Sequence, residues 1–547
     1  MIKKFLKKAL LVGIVIVHSP VKSQAKYDVY DNIAKEVFQN NPPGGVVLIA
    51  EKGKITYEKA FGLAQIELNV PMKTDMVFEI GSITKQFTAV ALLQLVEQHK
   101  IQLNDPIIKY FPDFPNHCKD ITIHHLLNHT SGLNNFTSED SWSDVWRLDL
   151  PLSKTIDLFI NKPLAFQPGE KFSYCNSGYI ILGALIEKIS GESYANYLQK
   201  NIFDPLEMKD TYFGSRSKLI KNRAHGYQKN KEYINAEYVT FSQTHAAGAL
   251  MSTTHDLLKW YTALYNHKVI TPKSLALATT NYKTNTGEPT YYGYGWFINE
   301  INGLQTVEHG GGIFGFLTYA MYLPTEGILI IVLTNYDLYN PEALTVKLAA
   351  LATNQYQKAI QPIKLSPKKG RSWVGNYEFE DGITRSILLE NNILYSQIPG
   401  RDKIALIPVS DNEFYFEGIA EAKIEFSTEK TMVKALLKNR MVTKTGWKKT
   451  KKDQTKTITL NEEQLQRLVG EYKIPPSLTF TLTAINKSLI VNFPGQSALE
   501  LWASDETHFF NKTVGVEFIF DKNENNNVTA VTIVQNGQKI IAKKSIL

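Results

Sequence analysis

Cysteine is nearly absent from this chain: its 547 residues include only Cys118 and Cys175. Two cysteines cannot build a disulfide framework, and without a C-x-x-C pair a thiolate metal site has no support. A histidine zinc site fares no better. His125 and His129 stand four residues apart beside His124, but Leu126 occupies the place of the glutamate in H-E-x-x-H. No metal and no cofactor is expected. A strong charge of one sign is also missing. The formal net charge is +7, and no arginine-rich face or aromatic-basic motif stands out, which argues against nucleic acid as a partner. Long apolar runs are lacking too. The stretch Ala9 to Val17 is too short for a bilayer core of about 30 Å.

What is present describes an exported globular protein. Hydrophobic residues make up 43% and charged residues 21%, enough to bury sizeable cores. A length of 547 residues calls for two to four domains. Lys3, Lys4, Lys7 and Lys8 precede the short apolar run, and small Ser23 and Ala25 follow it. This pattern predicts a signal peptide over residues 1–25. No cysteine follows the run, so no lipid anchor is expected. The mature chain should be secreted or periplasmic, without stable membrane insertion.

From residue 26 to about 360 the chain alternates helices and strands. Gly45 to Ala50, then Glu51-Lys52-Gly53, then Lys54 to Tyr57 reads as a β-hairpin. Gly315 to Leu323 and Ile328 to Leu333 read as a second, late hairpin, its last strand apolar throughout as a doubly buried strand should be. Tyr179 to Ile189 reads as a helix closed by Gly191. These elements predict an α+β fold: an antiparallel sheet flanked by helices, plus a helical subdomain. After Leu365 short strands and turns take over, and they repeat. Val374-Gly375-Asn376-Tyr377 returns as Val469-Gly470-Glu471-Tyr472, and Pro399-Gly400 as Pro494-Gly495, each 95 residues on. Asp411 to Phe416 returns as Asp505 to Phe510, and Ile424 to Phe426 as Phe518 to Phe520, each 94 residues on. A near-constant offset marks a duplicated module. Two all-β units, 365–455 and 460–547, are expected, each a small sheet or half-barrel. Between them Lys444, Lys448, Lys449, Lys451, Lys452 and Lys456 read as a solvated strand end and linker.

Three motifs carry chemistry. Glu79-Ile80-Gly81 leads into Ser82, and an apolar helix follows from Phe87. Ser82 thus sits at a helix start, with Lys85 one turn on along the same face. A serine is a weak nucleophile until a base takes its proton. Lys85 serves as that base only if its pKa falls, and both the helix dipole and burial push that way. Next, Tyr174-Cys175-Asn176 lies in an extended segment where positions two apart face one cleft. A phenol beside a lysine ammonium is drawn towards phenolate and can take a serine proton, while the amide can hold a substrate carbonyl. Last, His309-Gly310-Gly311-Gly312 opens the late hairpin. Its glycines admit a neighbouring backbone, the Gly312 N–H can join that of Ser82 as an oxyanion hole, and His309 can donate a hydrogen bond or a charge to substrate.

S-x-x-K, Y-x-N and H-x-G in this order resemble the serine β-lactamase and penicillin-binding superfamily, nearest to the class C β-lactamase-like branch with its esterases, D-aminopeptidases and DD-peptidases. The resemblance covers roughly Pro42 to Asn335. It extends to Ile121 to Leu133, which looks like the family's I-T-x-x-x-L-L-x-H-T-S-G-L segment, to Ala247 to Thr253, and to Tyr292 to Trp296. It implies Ser82 as acylated nucleophile, Lys85 as proton acceptor, Tyr174 as general acid or base, and Asn176 as a substrate contact. His309, Gly311 and Gly312 would form the third box, and the histidine-rich segment would be structural. That box is usually K-T-G, whereas His309 and Gly310 stand here for lysine and threonine. Weight therefore shifts from β-lactams to an ester, a D-amino-acid amide or a peptide. A β-lactamase, a DD-peptidase and a slowly deacylating penicillin-binding sensor stay open as alternatives. The expected partner is a small-molecule or peptide acyl substrate, with cell-wall components a further option.

Overall fold

A computed structural model describes residues 20–38, 43–301, 303–353 and, apart from short segments between strands, 362–545. The expected signal sequence before Pro20 lies outside the described residues. The chain divides into two units, 1–356 and 357–547.

The first unit is built on one antiparallel sheet. Helix α1 (Pro20–Phe38) leads to strands β1 (Gly45–Glu51) and β2 (Lys54–Phe61), the early hairpin. Helices α2 (Thr84–Glu97), α3 (Asn176–Ser190), α4 (Phe241–Gly248) and α5 (Thr254–Tyr265) come next. Strands β3 (Phe297–Ile301), β4 (Leu304–Ile313), β5 (Phe316–Leu323) and β6 (Ile328–Thr334) complete the sheet in the order β3-β4-β5-β6-β1-β2. The chain's two hairpins thus meet along β6 and β1, paired from Gly45 opposite Thr334 to Glu51 opposite Ile328. Every residue of β6 is buried, because α6 (Pro341–Ala352) packs on one face and α5 on the other. Helix α3 ends where Gly191 adopts φ +73°, as its glycine implied. The predicted α+β class is the observed one.

Helix α2 is the hub of the helical subdomain. Eleven of its fourteen residues are buried, among them Lys85. An all-round buried helix needs neighbours on every side, and α3, α4 and the helix Tyr194–Leu198 supply them.

The second unit holds two all-β modules, and each is a closed eight-stranded barrel, larger than the half-barrel its strands suggested. One runs from Gly375–Phe379 to Val442–Lys448, the other from Gly470–Ile474 to Gln538–Lys544. The repeated V-G-x-Y motif has the same task in both. Tyr377 Oη donates to Trp373 O, and Tyr472 Oη to Leu468 O, each at 2.8 Å. Gly375 and Gly470 sit at φ +152° and +144°, and a Cβ there would press on the stems of Lys448 and Lys544. Those lysines donate to Ser372 O at 3.1 Å and Arg467 O at 2.8 Å. Lys448 of the basic run is therefore a structural cap, and Lys449 pairs with Glu378 at 3.0 Å. Lys451, Lys452, Lys456 and the Pro494-Gly495 landmark lie outside the described residues. No helix among the described residues is long and apolar enough to cross a membrane.

Because the six-stranded sheet is complete by Thr334 and its covering helix by Ala352, a chain ending near residue 360 is expected to fold alone. Its urea unfolding should be a single cooperative transition with wild-type Ser82 chemistry. An insoluble or uncooperative fragment would assign the barrels a part in the first core.

Candidate active site

Ser82 stands in a single tight turn, Gly81–Ile83, immediately before α2. Two close approaches fix that turn. Gly81 has φ +51°, and a Cβ on it would lie 2.9 Å from Gly312 N. A Cβ on Gly311 would lie 2.0 Å from Ile80 O. The nucleophile's turn and β4 therefore touch backbone to backbone, which only glycines permit. Thr318 on β5 fastens the joint by donating to Ile80 O at 3.0 Å.

Lys85 is buried, with 0% of its surface exposed. Its Nζ lies 2.8 Å from Asn176 Oδ1, 2.8 Å from Ala247 O and 3.0 Å from Ser82 Oγ. Desolvation holds its pKa well below the ordinary lysine value. The geometry suits a neutral amine. Two N–H groups donate to the two carbonyl oxygens, which only accept, and the lone pair faces the Ser82 hydroxyl. The Ala247 carbonyl reaches this position through a break in α4, where His245 adopts φ 31°, ψ −126°.

Around the amine stand aromatic rings. Lys85 Nζ lies 4.8 Å from the Tyr174 ring centre and 5.3 Å from that of Tyr179. His129 packs at 4.3 Å on Tyr174 and 4.7 Å on Tyr292. It accepts from Cys175 N–H through Nδ1 at 3.1 Å, while its buried Nε2 has no hydrogen-bond partner among the described residues. Low polarity here is what lowers the Lys85 pKa, and it also pushes the Tyr174 phenol up, against the pull of its hydrogen bond with Ser82. The expected drift of Tyr174 towards phenolate is therefore reversed. Burial disfavours an ammonium beside it and keeps the proton on the phenol.

Asn176 stands in the site, donating from Nδ2 to Thr137 Oγ1 at 2.9 Å while its Oδ1 accepts from Lys85. Gly312 and Ser82 line one cavity of about 370 Å³, walled largely by Phe136, Trp142, Phe314 and Leu317. His309 departs from its expected task. Its Nδ1 donates to Gly310 O at 2.6 Å, so its Nε2 accepts from Tyr292 Oη at 2.9 Å. Burial, the largest cause, pushes its pKa down to about 3. His309 is thus neutral, has both nitrogens engaged, and offers substrate neither a charge nor a free donor. Gly311 serves the backbone joint with Ile80. His124, His125 and His129 bond separately to Tyr294, Thr122 and Cys175, and Cys118 and Cys175 are free and buried. The sequence reading gave no role to Tyr292 or to the Ala247 carbonyl. The family-like segments 292–296 and 247–253 were the available signal.

Two outcomes follow from this geometry. Between the folded-state pKa of Lys85 and about 10.4, the unfolded chain binds a proton that the folded chain does not, so this group adds stability as pH rises. The stability of wild type measured relative to Lys85→Met should therefore rise by about 1.4 kcal/mol per pH unit across that window in denaturant titrations. A pH-independent difference would mean Lys85 is charged in the fold. Gly311→Ala should cost about 1–3 kcal/mol through overpacking and cut turnover more than Gly287→Ala, whose added Cβ meets nothing within 4 Å.

Comparison with known proteins agrees with this architecture. Residues 29–355 match the family model described as Beta-lactamase. Penicillin-binding protein 4* of Bacillus subtilis is 30% identical over 422 residues, covering 72% of this chain and 92% of that protein. The octameric penicillin-binding protein homologue from Pyrococcus abyssi superposes with a TM-score of 0.56 at 25% identity, over 77% of this chain and 99% of its own. The D-amino acid amidase from Ochrobactrum anthropi shares the fold at 24% identity and a TM-score of 0.54, over 60% of this chain and 99% of its own. The chain belongs to the beta-lactamase family and is a serine hydrolase of that fold.

Proposed function

We propose that the protein is an exported hydrolase that forms an acyl-enzyme on Ser82 from an uncharged ester, a D-amino-acid amide or a short peptide. The observation that carries the reading is the Lys85 amine, with two hydrogen bonds to carbonyl oxygens and its third direction on Ser82 Oγ at 3.0 Å. Ser82 Oγ attacks the substrate carbonyl while its proton passes to Lys85 Nζ. The backbone N–H groups of Ser82 and Gly312 receive the developing oxyanion. A buried ammonium is costly, so the proton moves on. Tyr174, hydrogen-bonded with Ser82, hands a proton to the leaving group and is refilled from Lys85. Deacylation runs the same path with water as nucleophile. The basic and apolar N-terminal segment supports export.

Aromatic walls around Ser82 suit an apolar acyl group. A third box with neutral His309 and no hydroxyl at Gly310 gives a β-lactam carboxylate nothing in place of lysine and threonine. One missing charge-assisted hydrogen bond is worth roughly 1.5–3 kcal/mol, about ten- to a hundredfold in kcat/KM.

Ser82→Ala should lower kcat by on the order of 10⁶-fold, and intact mass should show an adduct on wild type alone. After subtraction of the Ser82→Ala background, p-nitrophenyl butyrate should exceed nitrocefin in kcat/KM. A nitrocefin value above the ester would return the protein to the β-lactamase branch. A stable adduct without turnover would identify a sensor.

A further inference from the structure

A second cavity, of about 380 Å³, shares Phe314 with the Ser82 cavity. Among its lining residues are Glu79, Arg216, Arg223, Glu237 and Tyr238. Their two guanidiniums and two carboxylates are not paired one to one. Arg223 donates to Glu79 Oε1 at 2.9 Å and to Ser215 O at 3.0 Å. Glu79 lies beneath the cavity, its side chain only 7% exposed. Glu237 pairs with Arg147. Among the described ion pairs Arg216 meets only Glu79, whose oxygen Arg223 already holds more closely. Its Nη2 stands 3.6 Å from the same Glu79 oxygen that Arg223 occupies, and its guanidinium makes no hydrogen bond among the described residues. It lies instead against the rings of Tyr238 and Phe241, 4.9 and 5.1 Å from their centres, with 44% of the side chain exposed. Ring contacts hold a planar guanidinium in place while its N–H edge stays available for a carboxylate.

We propose that this cavity is an anion subsite of the hydrolase, in which Arg216 binds a carboxylate carried at the far end of the acyl group. The proposal rests on the hydrolase reading above. Glu79 precedes Ser82 by three residues, so at most about 11 Å separates their Cα atoms. A carboxylate at Arg216 therefore belongs to an extended acyl group, whose carbon skeleton lies in the apolar cavity and whose charged end passes Phe314. The substrate class is an ω-carboxylated acyl donor, such as a peptide with a free side-chain or terminal carboxylate several bonds from the scissile carbonyl.

The test is a ladder of p-nitrophenyl monoesters of straight-chain dicarboxylic acids, succinate to sebacate, each measured against its ω-methyl ester. The Ser82→Ala background is subtracted, since the shorter acids assist their own cleavage. For the full-length enzyme, the ratio of kcat/KM for acid over methyl ester should rise with chain length to about ten- to a hundredfold, carried by KM. It should shrink when salt is raised from about 0.05 M to about 0.5 M. Arg216→Gln should bring the ratio near one, and Arg216→Lys should keep part of it. A wild-type ratio near one at every length, or a ratio unchanged in Arg216→Gln, overturns the subsite and leaves the hydrolase reading standing. Absence of Ser82-dependent release from every ester overturns both.

Discussion

The removal of one amine from water organises this site. Lys85 sits on a helix whose every neighbour is protein, and its charge is what that environment disfavours most. A neutral Lys85 has a lone pair, and a lone pair is the one thing an inert serine hydroxyl needs beside it. The same exclusion of water keeps Tyr174 protonated and His309 neutral. Burial disfavours charge on all three groups around Ser82, so the site is built to respond to the charge the reaction creates.

Holding that arrangement takes pieces from across the first unit. The nucleophile's turn is pinned to β4 by Gly81 and Gly311. The amine's two hydrogen-bond acceptors come from the start of α3 and from the break in α4. Thr88 ties α2 to the same break by donating to Ala246 O at 2.7 Å. Gly295, at φ +85°, lets the segment 292–296 lie against the Lys85 backbone, where a Cβ would meet Lys85 O at 2.7 Å. His309 and Tyr292 brace each other in the same layer. The six-stranded sheet therefore does more than carry the third motif: its close contact with Ile80 sets where the nucleophile can stand.

Local patterns in the sequence were enough for both hairpins, helix α3 with its glycine stop, the pairing of Ser82 with Lys85, and the duplication. Each is written within a few residues or at a constant offset. What needed the structure arises from distant groups or from backbone. The Ala247 carbonyl is a backbone atom 162 residues from Lys85, and a sequence carries no sign of where a carbonyl points. His309 looked free to meet substrate because its partner Tyr292 joins it only when β3 and β4 pair. The phenolate reading of Tyr174 assumed an ammonium beside it, and the depth of burial that removes the ammonium is a tertiary property. Barrel closure likewise depends on pairing of the first and last strands, Tyr377 with Lys448 and Tyr472 with Lys544, which alternation along each strand does not encode.

Direct titration of Lys85 tests the account at its base. The enzyme, labelled with ¹³C at lysine Cε and assigned through Lys85→Met, is followed by NMR as pH is raised. The account predicts that the Lys85 resonance shifts well below the other lysines, which titrate near 10.4, and that the amine is neutral where the enzyme works. A Lys85 resonance that titrates with the surface lysines would contradict it, because a protonated amine cannot take the Ser82 proton.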